Sequence, residues 1–158
     1  MNQALGLAAQ ALFLSNPNPR VGCVLVAPDG RVIGQGSTQQ AGGPHAEIMA
    51  LRDAAAAGQD VRGATAYVTL EPCAHQGRTG PCCDALAAAG IAKVVASVAD
   101  PNPLVAGQGF ARLRAAGIKV EVGPGSAESR ELNIGFFSRM IRGTPWVRLK
   151  SAASLDGT

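Results

Sequence analysis

The 158-residue chain is 47% hydrophobic and 16% charged, with a net charge of +3 and an isoelectric point near 8.9. That balance describes a packed globule of one domain with a sizeable core and excludes a disordered chain. The basic residues are scattered and only 4% of residues are aromatic, so there is neither a basic tract nor a set of stacking platforms for nucleic acid, while a mild positive balance suits a small phosphorylated ligand.

The chain begins MNQALGLAAQALFLSNPNP. It has no basic segment of the kind that opens a signal peptide. The spacing of Leu5, Ala8, Ala9 and Leu12 predicts an amphipathic helix over residues 2–14, stopped by SNPNP. Residues 20–27 (RVGCVLVA) read as a buried strand, Pro28-Asp29-Gly30 as a tight turn and residues 31–37 as the hairpin partner. Gly42-Gly43-Pro44 opens a helix over 45–57, with the proline at its first turn. A strand at 65–70 runs into Glu71-Pro72-Cys73. The loop AHQGRTG then precedes a helix over 81–89.

Further on, the pattern predicts a strand at 93–98, the loop Asp100-Pro101-Asn102-Pro103, a helix at 107–116, a strand at 118–122 and a single helix over 126–141. Strands separated by helices of this length imply crossover connections and a largely parallel sheet covered on both faces, with only the first hairpin antiparallel. Residues 146–150 (WVRLK) read as a new strand, and SAASLDGT follows without completing a unit. Residues 1–143 are therefore expected to form one domain, and 144–158 a linker with the first strand of another. No stretch reaches the roughly 20 apolar residues of a membrane span. Four unevenly placed cysteines do not make a disulfide scaffold, and their clustering suggests metal in a cytoplasmic protein.

The chemistry gathers in His45-Ala46-Glu47, Glu71-Pro72-Cys73 and Pro81-Cys82. One imidazole and two thiols make a three-ligand zinc set with a fourth position for water. Mid-helix, residues two apart lie about 200° apart around the axis and cannot face one ion. At a first turn they can, so His45 and Glu47 are expected at the start of their helix. Zinc with two thiolates and a neutral imidazole is formally uncharged and acidifies water less than an all-histidine site would. A carboxylate that takes protons is then useful, and Glu47 fits that role. The pattern H-x-E…P-C-x-x-C marks zinc deaminases of nucleobase rings. Here eight residues, not two, separate Cys73 from Cys82.

Other readings stand beside this one. A purely structural zinc would need a fourth protein ligand, for which His75 is the candidate. Cys23 and Cys83 read as packing residues, and Glu71 as a solvated turn residue without assigned chemistry. Asn18, Asp100 and Asn102 are common turn formers. Arg78, between Gly77 and Gly80, is either a surface arginine or a phosphate ligand assisted by loop amides.

Taken together, SNPNPRVGCV, GGPHAE, EPCAHQGRTGPCC, DPNPLVAGQG and the tail RLKSAASLDG resemble the bacterial riboflavin-biosynthesis deaminase/reductases along essentially the whole chain. The resemblance implies a three-layer α/β/α cytidine-deaminase-like fold around a mixed five-stranded sheet. It also implies zinc-dependent hydrolytic deamination of 2,5-diamino-6-ribosylamino-4(3H)-pyrimidinone 5′-phosphate. By motif, His45, Cys73 and Cys82 would hold one zinc ion and Glu47 would shuttle protons, while Asn18, His75, Arg78, Asp100 and Asn102 would line the substrate pocket. The tail resembles the start of the family's reductase domain. NADPH would serve only that domain, whose residues lie past position 158, so this chain alone is not expected to reduce anything. A small phosphorylated pyrimidine is thus the expected partner, with no nucleic acid and no membrane, and homo-oligomerisation is left open. The alternatives are another nucleoside, nucleotide or tRNA deaminase of the superfamily, or a non-catalytic zinc module.

Overall fold

A computed structural model describes residues 1–75, 80–103 and 106–157. Its elements in chain order are α1 (Asn2–Gln10), β1 (Gly22–Val26), β2 (Val32–Ser37), α2 (Ala46–Ala56), β3 (Thr65–Val68), α3 (Cys82–Ala88), β4 (Lys93–Ala96), α4 (Gln108–Ala115), β5 (Lys119–Val122), α5 (Ser126–Leu132) and α6 (Ile134–Arg142). The five strands form one mixed sheet in the order β2-β1-β3-β4-β5.

β1 and β2 form the antiparallel hairpin, with Gly22 opposite Ser37. The β3–β4 and β4–β5 ladders are parallel. Antiparallel pairing extends one ladder further than the sequence implied, because β1 also runs antiparallel to β3. This detail fixes the site. The ends of β2, β3 and β4 and the start of β1 all lie along one edge of the sheet, and the loops carrying the chemistry leave from that edge.

The two faces are built from small residues. On β2, a Cβ at Gly34 would come 2.4 Å from the Ala50 carbonyl oxygen, and one at Gly36 2.5 Å from the Met49 Cβ. These glycines let α2 lie directly on β2 through Ala46, Ala50 and Ala54, all fully buried. Close approach of this kind sets the height at which the start of α2 meets the sheet edge. α2 then touches α3, and α3 touches α4, while α1 covers β1 and β2 from the opposite face and meets α5. The result is the three-layer α/β/α arrangement. Its core joins Leu25, Val68, Leu86, Val94 and Leu113, each under 1% exposed.

Three expectations are corrected. The helix expected over 126–141 is two helices broken at Asn133. The Asn133 side chain accepts from the Arg20 N–H at 2.7 Å and donates to the Arg20 carbonyl at 2.9 Å and to the Ser129 carbonyl at 3.2 Å, tying the end of α5 to the strand entry. The first helix ends at Gln10, where the chain passes into turns and Phe13 is 96% exposed. Residues 146–150 form no strand: they have no ladder partner among the described residues, and Val147 and Leu149 are exposed. Among the described residues no helix is long and apolar enough to cross a membrane.

Candidate active site

His45 is the N-cap of α2, with extended backbone and no capping bond from its side chain. Its imidazole is therefore turned to the space beyond the helix end, and Pro44 sits one residue outside the helix rather than at its first turn. Glu47, in the first turn of α2, is 3% exposed. Cys73 lies just past β3 on the edge where ligands of open α/β sheets bind. Cys82 is the first residue of α3, with Pro81 as its N-cap.

These elements bring three ligand atoms together. The His45 Nδ1 is 3.5 Å from the Cys73 Sγ and 3.3 Å from the Cys82 Sγ. All three atoms lie within 4.8 Å of one another. Zn–S near 2.3 Å and Zn–N near 2.05 Å at tetrahedral angles require N···S separations of about 3.6 Å. The donor set and its spacing therefore fit one zinc ion with one position left over. His75 is exposed and outside the trio, so the geometry supplies no fourth protein ligand among the described residues. Cys83 is buried beside the trio, but its Sγ turns to the Asp84 Oδ1 at 3.7 Å. Cys23 is buried within β1, and burial pushes its thiol well up.

The electrostatics suit a cation. A hydrogen bond from the Cys82 thiol, supported by His45 and by the Cys82 N–H at 3.4 Å, holds the Cys73 thiol down to about 4. That same hydrogen bond, with burial and the Glu47 charge, pushes the Cys82 thiol far up. The two thiols are thus strongly coupled, and one of them is held as a thiolate beside the imidazole. The His45 imidazole is raised, first by its bond to Cys73 and further by the Glu47 charge, against the opposing effect of burial. Burial, and secondarily the Cys73 charge, lifts the Glu47 carboxyl to about 7. That is the range in which a group both takes and gives protons near neutrality.

Of the expected pocket residues, His75 and Asp100 line a small pocket beside Cys73, together with Glu71 and Gly109. Burial raises the Asp100 carboxyl, opposed by the Asn102 N–H bond and assisted by the Glu71 charge. The Asn102 N–H donates to the Asp100 Oδ1 at 2.8 Å. Asn18 lies on the same edge of the sheet, but it faces a separate cavity of about 430 Å³ with Arg20, Asn133 and Arg139. Arg78 falls outside the described residues.

Glu71 was misread from the sequence. It is 5% exposed, and among the described residues its carboxylate accepts four backbone N–H bonds, from Asp100 and Gly107 on one oxygen and Gly109 and Phe110 on the other. A clue was present: a charged residue between an apolar strand and Pro72, and a later helix start at Gly107-Gln108-Gly109 with no capping side chain of its own.

Comparison with known proteins agrees with this geometry. Residues 1–98 match the family model for the cytidine and deoxycytidylate deaminase zinc-binding region. The chain is 57% identical over 157 residues to the riboflavin biosynthesis protein RibD of Escherichia coli (strain K12), covering 99% of this chain and 42% of that protein. It is 47% identical over 145 residues to the diaminohydroxyphosphoribosylamino-pyrimidine deaminase of Buchnera aphidicola subsp. Schizaphis graminum, covering 92% and 96% of the two chains. The structure of Acinetobacter baumannii RibD superimposes with a TM-score of 0.92 at 54% identity, over 99% of this chain and 43% of the other. This chain therefore spans less than half the length of the RibD proteins and nearly all of the Buchnera one. A zinc-shaped trio, a buried carboxyl group beside it and 57% identity over 99% of the chain lead to one assignment: the chain belongs to the zinc-binding cytidine and deoxycytidylate deaminase family, in the branch it shares with the RibD proteins.

Proposed function

We propose that residues 1–143 deaminate 2,5-diamino-6-ribosylamino-4(3H)-pyrimidinone 5′-phosphate to 5-amino-6-ribosylamino-2,4-pyrimidinedione 5′-phosphate and ammonia. The observation that carries this reading is the match, over 92% of one chain and 96% of the other, to a protein named for that deamination. The site itself supports the reaction class.

His45, Cys73 and Cys82 are the residues that would hold zinc, which when bound acidifies water and supplies a nucleophile at neutral pH. Glu47 carries the protons. Its carboxylate takes one proton from the attacking water and passes it to the ring nitrogen next to the amino-bearing carbon, as the water oxygen bonds to that carbon. The remaining proton on that oxygen then travels through Glu47 to the amino group. The C–N bond breaks with its electron pair leaving on nitrogen, ammonia departs, and the oxygen becomes the ring carbonyl. Burial serves this cycle by holding the Glu47 carboxyl near 7, so that neither transfer runs far uphill.

His75 and Arg78 are assigned the phosphate, and Asn18, Asp100 and Asn102 the ring and ribose. Arg78→Ala is expected to raise KM for the phosphorylated substrate with a smaller change in kcat, since a contact made equally in ground and transition states does not alter the chemical step. The check compares phosphorylated with dephosphorylated substrate in both proteins. Equal losses on the two would take phosphate recognition away from Arg78. The function as a whole is tested by ammonia release from the diaminopyrimidine nucleotide set against cytidine and cytidine monophosphate. Preference for either cytidine compound would replace this reading with that of a cytidine-type deaminase.

A further inference from the structure

The Glu71 carboxylate lies two residues before the ligand Cys73 and joins segments far apart in sequence. Its Oε2 accepts from the N–H of Asp100 at 3.0 Å and of Gly107 at 2.9 Å. Its Oε1 accepts from Gly109 at 2.9 Å and Phe110 at 3.2 Å. Three of these donors belong to the cap and first turn of α4, which has no capping side chain of its own. Glu71 is therefore the cap of α4, supplied from the segment that follows β3.

The fit is tight. A Cβ on Gly109 would stand 2.0 Å from the Pro72 carbonyl oxygen, so only glycine lets the start of α4 reach the Glu71–Pro72 corner. α4 returns the contact through Arg112, whose guanidinium donates to the Ala74 carbonyl at 3.1 Å and pairs with Asp84 of α3 at 2.7 Å. The segment bearing Cys73, the start of α3 and the start of α4 are thereby tied together. Gly107, the residue before α4, is left-handed at φ 80°, a backbone that a capping serine or aspartate does not adopt, so the cap comes from outside the helix. Drawing it from the Cys73 segment also fixes the Asp100 backbone beside Cys73 and His75.

We propose that Glu71 is a positioning residue for substrate binding, whose carboxylate sets Asp100 and, through the Asn102 N–H bond to Asp100, Asn102 at a fixed height over the metal-ligand segment. This rests on the reading of Asp100 and Asn102 as substrate contacts given above. In Glu71→Gln the amide keeps one acceptor oxygen and turns N–H donors towards backbone N–H groups, so half of the clamp is lost while shape is kept.

The experiment measures zinc content and steady-state ammonia release for wild type, Glu71→Gln, Asp100→Ala and the double variant. The expected result for Glu71→Gln is one zinc per chain and a roughly tenfold higher KM that exceeds any change in kcat. The double variant should lose little beyond Asp100→Ala alone, because both act through one contact. An unchanged KM, or a strictly additive double variant, overturns the positioning role and leaves Glu71 a helix cap. Loss of zinc with the turnover also overturns it, by showing that Glu71 acts through the metal ligands. If Glu71→Gln does not fold, amide exchange in the unmutated protein decides: binding of the product nucleotide should slow exchange at Asp100 and Gly107, and unchanged exchange there overturns the proposal. Ammonia release by the wild type tests the function separately, so the two failures cannot be confused.

Discussion

Glu47→Gln is expected to retain fold and zinc while losing about 10²- to 10⁴-fold in kcat, the range general acid–base groups supply. The substitution keeps shape and removes only the ability to carry a proton. Glu47 is 3% exposed and its carboxyl is raised to about 7, chiefly by burial. The protein therefore spends stability to keep an ionisable group there, and the neutral amide should leave the melting temperature equal or higher. In the proposed cycle two transfers pass through this one carboxylate, to the ring nitrogen and to the leaving amine, so the loss should lie towards the upper end of the range. Measuring kcat, zinc content and thermal melting together separates a lost shuttle from a damaged site. Turnover close to wild type would remove Glu47 from the mechanism.

Much of this site was legible because it is encoded locally. His45 and Glu47 are two apart and can converge only at a helix start, and Gly42-Gly43-Pro44 marks that start. The alternation of strands and helices gives the crossover-connected parallel ladders, and a strand end followed by Glu-Pro-Cys places Cys73 at the sheet edge. What escaped is encoded at long range. The break at Asn133 depends on hydrogen bonds to Arg20, 113 residues away, and the local signal for it, Asn133 followed by Gly135, is weak. Glu71 looked like a surface residue because its four donors lie 29 to 39 residues further along the chain. The antiparallel pairing of β1 with β3 likewise follows from strand order, which periodicity does not specify. Residues 146–150 have a strand-like composition, yet a strand requires a neighbour to pair with, and none exists among the described residues.

Cys82→Ser should abolish stoichiometric zinc, lowering affinity by well over the roughly 10- to 100-fold that loss of a supporting contact alone costs. Serine preserves the shape of the side chain, but its hydroxyl stays protonated at neutral pH and is a poor ligand for a borderline-soft ion. Two ligands, His45 and Cys73, would remain at 3.5 Å from each other, too few to close a tetrahedral site. Two further consequences follow from linkage. Added zinc should stabilise the wild type by about 2.7 kcal/mol at a hundredfold excess over Kd, and the variant by almost nothing. Ammonia release should disappear with the metal, and added zinc should not restore it. Cys83→Ser is the companion measurement, since Cys83 is equally buried and adjacent but directs its sulfur to Asp84. It should keep one zinc per chain and pay only the cost of a polar group in a packed position. Zinc retained in Cys82→Ser and lost in Cys83→Ser would mean that α3 begins with a different rotation and that the neighbouring thiol faces His45.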